Sequence, residues 1–183
     1  MASTDEQYEE AIQSCREIFI KKTIDYGTSW RVLRTISIVD QLYIKAKRIR
    51  TIQENEVQKI NDGIKAEFIG IVNYAVIGLI QSTLTNAEAE DLPVEQVYGL
   101  YNDSIAQSRS LMENKNFDYG EAWRDMSQES FTDLILSKLL RIRQILLNKG
   151  KTLISEGINA NYYDILNYSV FALILIKENK HKG

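Results

Sequence analysis

A chain of 183 residues, 44% of them hydrophobic, is long enough to bury a full core, and its net charge of −3 sets up no general field toward nucleic acid or an anionic membrane. The lone Cys15 excludes an internal disulfide or a cysteine metal cage. The lone His181, in a lysine-rich tail, removes Ser-His and Cys-His triads and histidine metal sites.

One proline and long periodic stretches predict an all-α fold. The start, Met1-Ala-Ser-Thr-Asp-Glu, has no basic-then-apolar pattern. No uninterrupted apolar run reaches the roughly 20 residues of a spanning helix. A cytoplasmic location is the expectation.

Taken in order, Ser3 and Glu6 read as a capping box, and Tyr8, Ile12, Cys15, Ile18 and Phe19 as the stripe of a first helix. That helix is expected to end near Lys22, with Asp25-Tyr26-Gly27 as the turn and Trp30-Arg31 beyond it. A second helix runs from about Ile36 to Glu54 and carries a seam of Ile38, Leu42, Lys45, Ile49 and Ile52. Asn61-Asp62-Gly63 signals a turn. A third helix, near Lys65 to Leu84, is apolar nearly all round and so is expected to be central.

Residues 85–93, acidic and closed by Pro93, read as a linker, after which the chain repeats at an offset of 93. Tyr8, Ile12 and Arg16 return as Tyr101, Ile105 and Arg109. Asp25-Tyr26-Gly27 and Trp30-Arg31 return as Asp118-Tyr119-Gly120 and Trp123-Arg124. The seam returns as Phe131, Ile135, Lys138, Ile142 and Ile145. After one extra residue near Gly150 to Gly157, Asn73-Tyr74 returns as Asn167-Tyr168. The expected architecture is two homologous three-helix repeats, residues 1–84 and 94–180, packed as one pseudo-twofold bundle.

Each seam is apolar except for its central lysine, and a buried ammonium costs several kcal/mol unless an acid or an anionic ligand meets it. Glu67 and Asp164, on the third helix of each repeat, are the expected acids, with Asn73 and Asn167 on the same face. Such a pocket suits phosphate on Lys45, Arg48, Lys138 and Arg141, and Mg²⁺ on Glu67, Asp164, Asp40 and Asp133. Asp40 and Asp133 are also the candidate catalytic carboxylates, orienting water. Asn73 and Asn167 would hydrogen-bond a base or ribose, with Tyr26 or Tyr119 nearby.

Plainer readings stand beside these. Asp-Tyr-Gly is an ordinary helix end, and Trp30 and Trp123 suit core anchors better than stacking platforms. A seam lysine can simply set helix register and oligomeric state, a homodimer included. The asparagines can bridge helices without binding anything.

Asp-Tyr-Gly-x-x-Trp-Arg, then Ser-x-x-Asp-x-x-x-x-Lys-x-x-Arg-Ile-Arg, then Asn-Tyr, resembles the nucleotide modification associated domain 1 family, in its tandem form, over most of both halves. The resemblance implies a link to nucleotide or nucleobase metabolism and a small nucleotide as partner. A looser similarity is to all-α nucleotide pyrophosphatases of the MazG-like and dimeric dUTPase kinds, which hold Mg²⁺ on acidic residues of facing helices. That similarity implies phosphohydrolase activity. The chain departs from it in lacking Glu-Glu-x-x-Glu on the seam helix and in splitting Glu-x-x-Asp between Glu67-x-x-Gly70 and Asn161-x-x-Asp164. A non-catalytic interaction module, its lysines paired inside the bundle, is the alternative.

Overall fold

In the computed structural model, which describes residues 2–55, 59, 62–84, 91–152 and 157–183, the chain opens with the capping box at Ser3. The Ser3 hydroxyl accepts from the Glu6 amide at 3.2 Å, and the Ser3 amide donates back to the Glu6 carboxylate at 2.8 Å. The helix so started, α1 (Thr4–Tyr26), runs four residues past the expected end. Asp25 and Tyr26 therefore sit in its last turn, and Gly27, at φ 64°, is the residue that stops it.

A short 3₁₀ turn (Ser29–Val32) leads into α2 (Thr35–Asn55), and α3 is Ile64–Thr83. The second repeat follows the same order: α4 (Val94–Tyr119), a 3₁₀ turn (Ala122–Asp125), α5 (Gln128–Leu147) and α6 (Ile158–Lys177). Among the described residues there is no strand. Asn61, most of the expected linker and residues 153–156 near the one-residue offset lie outside the described residues.

The six α-helices of the described residues thus form two like sets of three. The central pair is α3 and α6, with α2 on α3, α5 on α6, and α2 against α5. Gly78 permits the central contact, because a Cβ there would stand 2.6 Å from the Tyr162 ring. Ile71, Val72, Ala75 and Val76 of α3 and Ile165, Leu166, Val170 and Ala172 of α6 are buried in that core. Truncating Ile71 to alanine is expected to cost about 2–5 kcal/mol. By length and composition α3 could cross a bilayer, so the apolar signal in it is stronger than uninterrupted runs suggest. Here 67% of its apolar window is buried inside the protein.

Both seams face inward as the spacing predicts: Ile38, Leu42, Ile49 and Ile52 are buried, as are Phe131, Ile135, Ile142 and Ile145. The outer pair, α1 and α4, touch each other, and each touches both α3 and α6. Each repeat's first helix therefore completes the wall of the other repeat. Side-chain ties across the repeats reinforce this. Arg124 of the second repeat reaches Thr4 at 2.9 Å and Gln7 at 2.7 Å on α1, and Glu178 after α6 at 3.1 Å.

Candidate functional site

In the first repeat, the last turns of α1, the 3₁₀ turn, Lys45 of α2 and one face of α3 enclose a cleft of about 720 Å³. Phe19, Lys22, Thr23 and Tyr26 line it because steps of three and four keep them on one side of α1. Glu67, Gly70, Asn73, Tyr74 and Ile77 line it from α3 for the same reason. Gly27 and Trp30 line it too, so the Asp-Tyr-Gly and Trp-Arg motifs each contribute to its wall. Gly27 is held from outside, where the Asp91 carboxylate accepts the Thr28 amide and the Leu92 amide donates to the Thr28 hydroxyl at 3.0 Å. Gln81 fixes the Trp30 turn by donating to the carbonyls of Trp30, Arg31 and Leu33 at 3.0–3.3 Å.

The seam lysines meet the carboxylates of the third helices, but differently in the two repeats. Arg48 binds Glu67 at 2.9 Å and the Asp62 carbonyl at 2.6 Å, while Lys45 stands 3.9 Å from the other Glu67 oxygen. The Lys45 stem lies over Gly70, where a Cβ would come within 2.9 Å of Cε, and its ammonium is 5.6 Å from the Tyr74 ring centre. In the second repeat Asp164 takes the place of Gly70 and is gripped by Lys138 at 2.9 Å and Lys115 at 2.7 Å. Burial, and then the Asp164 charge, raise the neighbouring Tyr168 phenol above its ordinary value, so it stays protonated. Asn161, in the place of Glu67, turns back to the Gly157 carbonyl, and Arg141 is exposed.

Asn73 and Asn167 bridge helices. Asn73 donates to the Cys15 carbonyl at 3.1 Å and accepts from the Tyr101 hydroxyl at 2.8 Å. Asn167 does the same with the Ser108 carbonyl at 3.1 Å and the Tyr8 hydroxyl at 2.7 Å. Each carboxamide thus ties the outer helices of both repeats together, and its carbonyl oxygen and amide nitrogen are already engaged. Each keeps one N–H and one oxygen lone pair beyond these bonds, and Asn73 lines the cleft. Beside Asn73, burial pushes the Cys15 thiol up to about 12, which leaves it an inert core residue.

Asp40 and Asp133 do not join the lysines. Five residues separate Asp40 from Lys45, which turns it about 140° round the helix. Asp40 pairs with Arg143 of α5 at 2.9 Å, and Asp133 with Arg50 of α2 at 3.7 Å, on the exposed side of the α2–α5 contact. The four-carboxylate Mg²⁺ set is therefore not assembled. Glu67 and Asp164 belong to different repeats, each faces two cations, and among the described residues no three Asp, Glu, His or Cys converge. Tyr26 stands at the cleft rim with its ring mostly in solvent; Tyr119 is likewise exposed.

Lys22 and Lys115 escape a reading centred on the seam, although they repeat at the same offset of 93 as the motifs. The two tryptophans also differ. Trp123 is buried, stacked on Phe171 at 4.2 Å, whereas Trp30 is half-buried and tilted against Phe19 at 6.3 Å. Phe171 stands where the first repeat has Ile77, so a larger ring occupies that place in the second repeat.

No curated protein and no solved structure gives a significant match to the chain. The profile of one family, Nucleotide modification associated domain 1, matches twice, over residues 22–82 and 115–176. Those two spans run from the lysine before each Asp-Tyr-Gly motif, or the equivalent position, through the third helix of each repeat, and together they cover most of the chain. The chain belongs to the nucleotide modification associated domain 1 family, in tandem.

Proposed function

We propose that the first-repeat cleft binds a small nucleotide-class ligand. One observation carries this reading: a cavity of about 720 Å³ is bordered by two lysines, Lys22 and Lys45, and by four aromatic rings, Phe19, Tyr26, Trp30 and Tyr74. Its volume is within the range of sites for small organic ligands, roughly 300–1,000 Å³. Cations suit a phosphate, and a half-exposed indole suits a base or sugar face. Membership of a family associated with nucleotide modification agrees with that chemistry. Hydrolysis assisted by Mg²⁺ would need oxygen ligands grouped round the metal, and Glu67 is the one described carboxylate projecting from a helix into this cleft; Asp62 lies at its edge. Binding without hydrolysis is the reading the geometry supports best.

A second reading rests on the internal pairing of the lysines. Lys45 has Glu67 and Lys138 has Asp164, so the seam cations have partners without any ligand, as in a non-catalytic interaction module. Thermal unfolding with a panel of nucleoside mono-, di- and triphosphates, with and without Mg²⁺, separates the two. A specific ligand at 100 times its Kd adds about 2.7 kcal/mol to stability and raises the midpoint. An unchanged midpoint across the panel would leave the module as the better account.

A further inference from the structure

Building on the nucleotide-class reading, we propose that the cleft seats an anionic group of its ligand between the ammonium groups of Lys22 and Lys45, beside Gly70, in the role that Asp164 plays in the second repeat. The two repeats serve as templates for each other. Lys22, Lys45 and Gly70 of the first correspond to Lys115, Lys138 and Asp164 of the second, at offsets of 93, 93 and 94. In the second repeat the two ammonium groups close on one carboxylate, at 2.7 and 2.9 Å, one to each oxygen. This marks the point where both lysines deliver charge-assisted hydrogen bonds to a two-oxygen anion.

The first repeat keeps both lysines and lacks that anion. Gly70 has no side chain to supply it, and both lysines border the open cleft. Glu67, one turn earlier on α3, does not take over the role. One of its oxygens is held by Arg48 at 2.9 Å, Lys45 stands back at 3.9 Å, and Lys22 has no ion pair among the described residues. The glycine lets the Lys45 stem lie against α3 with its ammonium at the cleft, since a Cβ would come within 2.9 Å of Cε and 3.1 Å of Nζ. The matching chemistry is a phosphate monoester or a carboxylate at one end of a ligand whose body reaches Trp30. One such ligand is expected per chain.

Titration calorimetry with inorganic phosphate and with adenosine 5′-monophosphate tests this on the full chain. The wild type is expected to bind one equivalent, with the nucleotide tighter than phosphate. Gly70→Asp supplies the missing carboxylate and should weaken both probes roughly tenfold or more. Lys22→Met, at an exposed position, should weaken both without affecting folding.

Wild-type affinity for both probes in Lys22→Met, or in a folded Gly70→Asp, would overturn the anion seat while leaving nucleotide binding standing. Phosphate binding that Gly70→Asp abolishes, with the nucleotide no tighter than phosphate, would support the seat and overturn the nucleotide reading. Absence of binding by either probe would overturn both.

Discussion

Tyr101, on the first helix of the second repeat, donates its hydroxyl to the side-chain carbonyl of Asn73, on the third helix of the first repeat, at 2.8 Å. Both residues are buried, and the other end of the amide holds the Cys15 carbonyl. Asn73→Ala removes the second acceptance at that helical carbonyl and leaves the phenol without its partner, at an expected cost of about 1–3 kcal/mol. Tyr101→Phe should cost less, about 1–2 kcal/mol. Because one bond is shared, the double variant should lose less than the sum of the two. Urea unfolding of the three proteins checks this; strict additivity would mean the bond contributes nothing.

Gly27 and Gly120 share one backbone conformation, φ 64° with ψ −151° and −154°, a region that residues with a Cβ strongly avoid. Alanine at either position should cost about 1–3 kcal/mol through backbone strain. Only Gly27 is also crowded, since a Cβ there would sit 2.8 Å from an Asp91 oxygen, whereas Gly120 has open space. Gly27→Ala is expected to be the more destabilising in chemical denaturation. An Asp91→Ala background should bring the two costs together.

Asp40 and Arg143 form an exposed pair on the far side of α2 from Lys45. Asp40→Asn should change stability by no more than about 1 kcal/mol and leave nucleotide affinity as in the wild type. A large loss of affinity in this variant would show that Asp40 acts at the cleft after all.

Hydrogen bonds from Thr4 and then from Arg124 hold the Glu121 carboxyl below its ordinary value of 4.5. A carboxyl with a lowered folded-state value contributes stability above its unfolded value and loses it as the pH falls through the folded one. Stability should therefore decline on acidification below about pH 4.5. Glu121→Gln should remove part of that decline, a small part because the group is largely solvated. Denaturation midpoints measured between neutral and acid pH decide it; parallel curves for the two proteins would mean the ties to α1 carry no linkage.

Periodicity and the 93-residue offset were enough to read the helices, their pairing into repeats and the inward seams, because both depend on local spacing. Lys45 and Lys138 stood out because a cation among Ile38, Leu42 and Ile49 breaks that spacing. The partners of the asparagines were out of reach. The Tyr8 hydroxyl that meets Asn167 lies 159 residues away in the chain, and no spacing rule spans that distance. The pairing of Asp40 lies out of reach for a related reason. Angles round a helix tell which side a residue is on, but not that Arg143 of another helix is waiting there. Lys22 and Lys115 were visible as a repeated pair, yet their meaning depends on Asp164 and Gly70 lying opposite them.

The crossed Tyr–Asn bonds have a consequence for descent. A solitary ancestral repeat would have been left with an unanswered tyrosine and asparagine, and could satisfy them only by embracing an identical twin. Joining two copies in one polypeptide removed the need to find that twin in solution. It also released the halves from having to match, so that a glycine could stand at 70 where its counterpart at 164 is an aspartate.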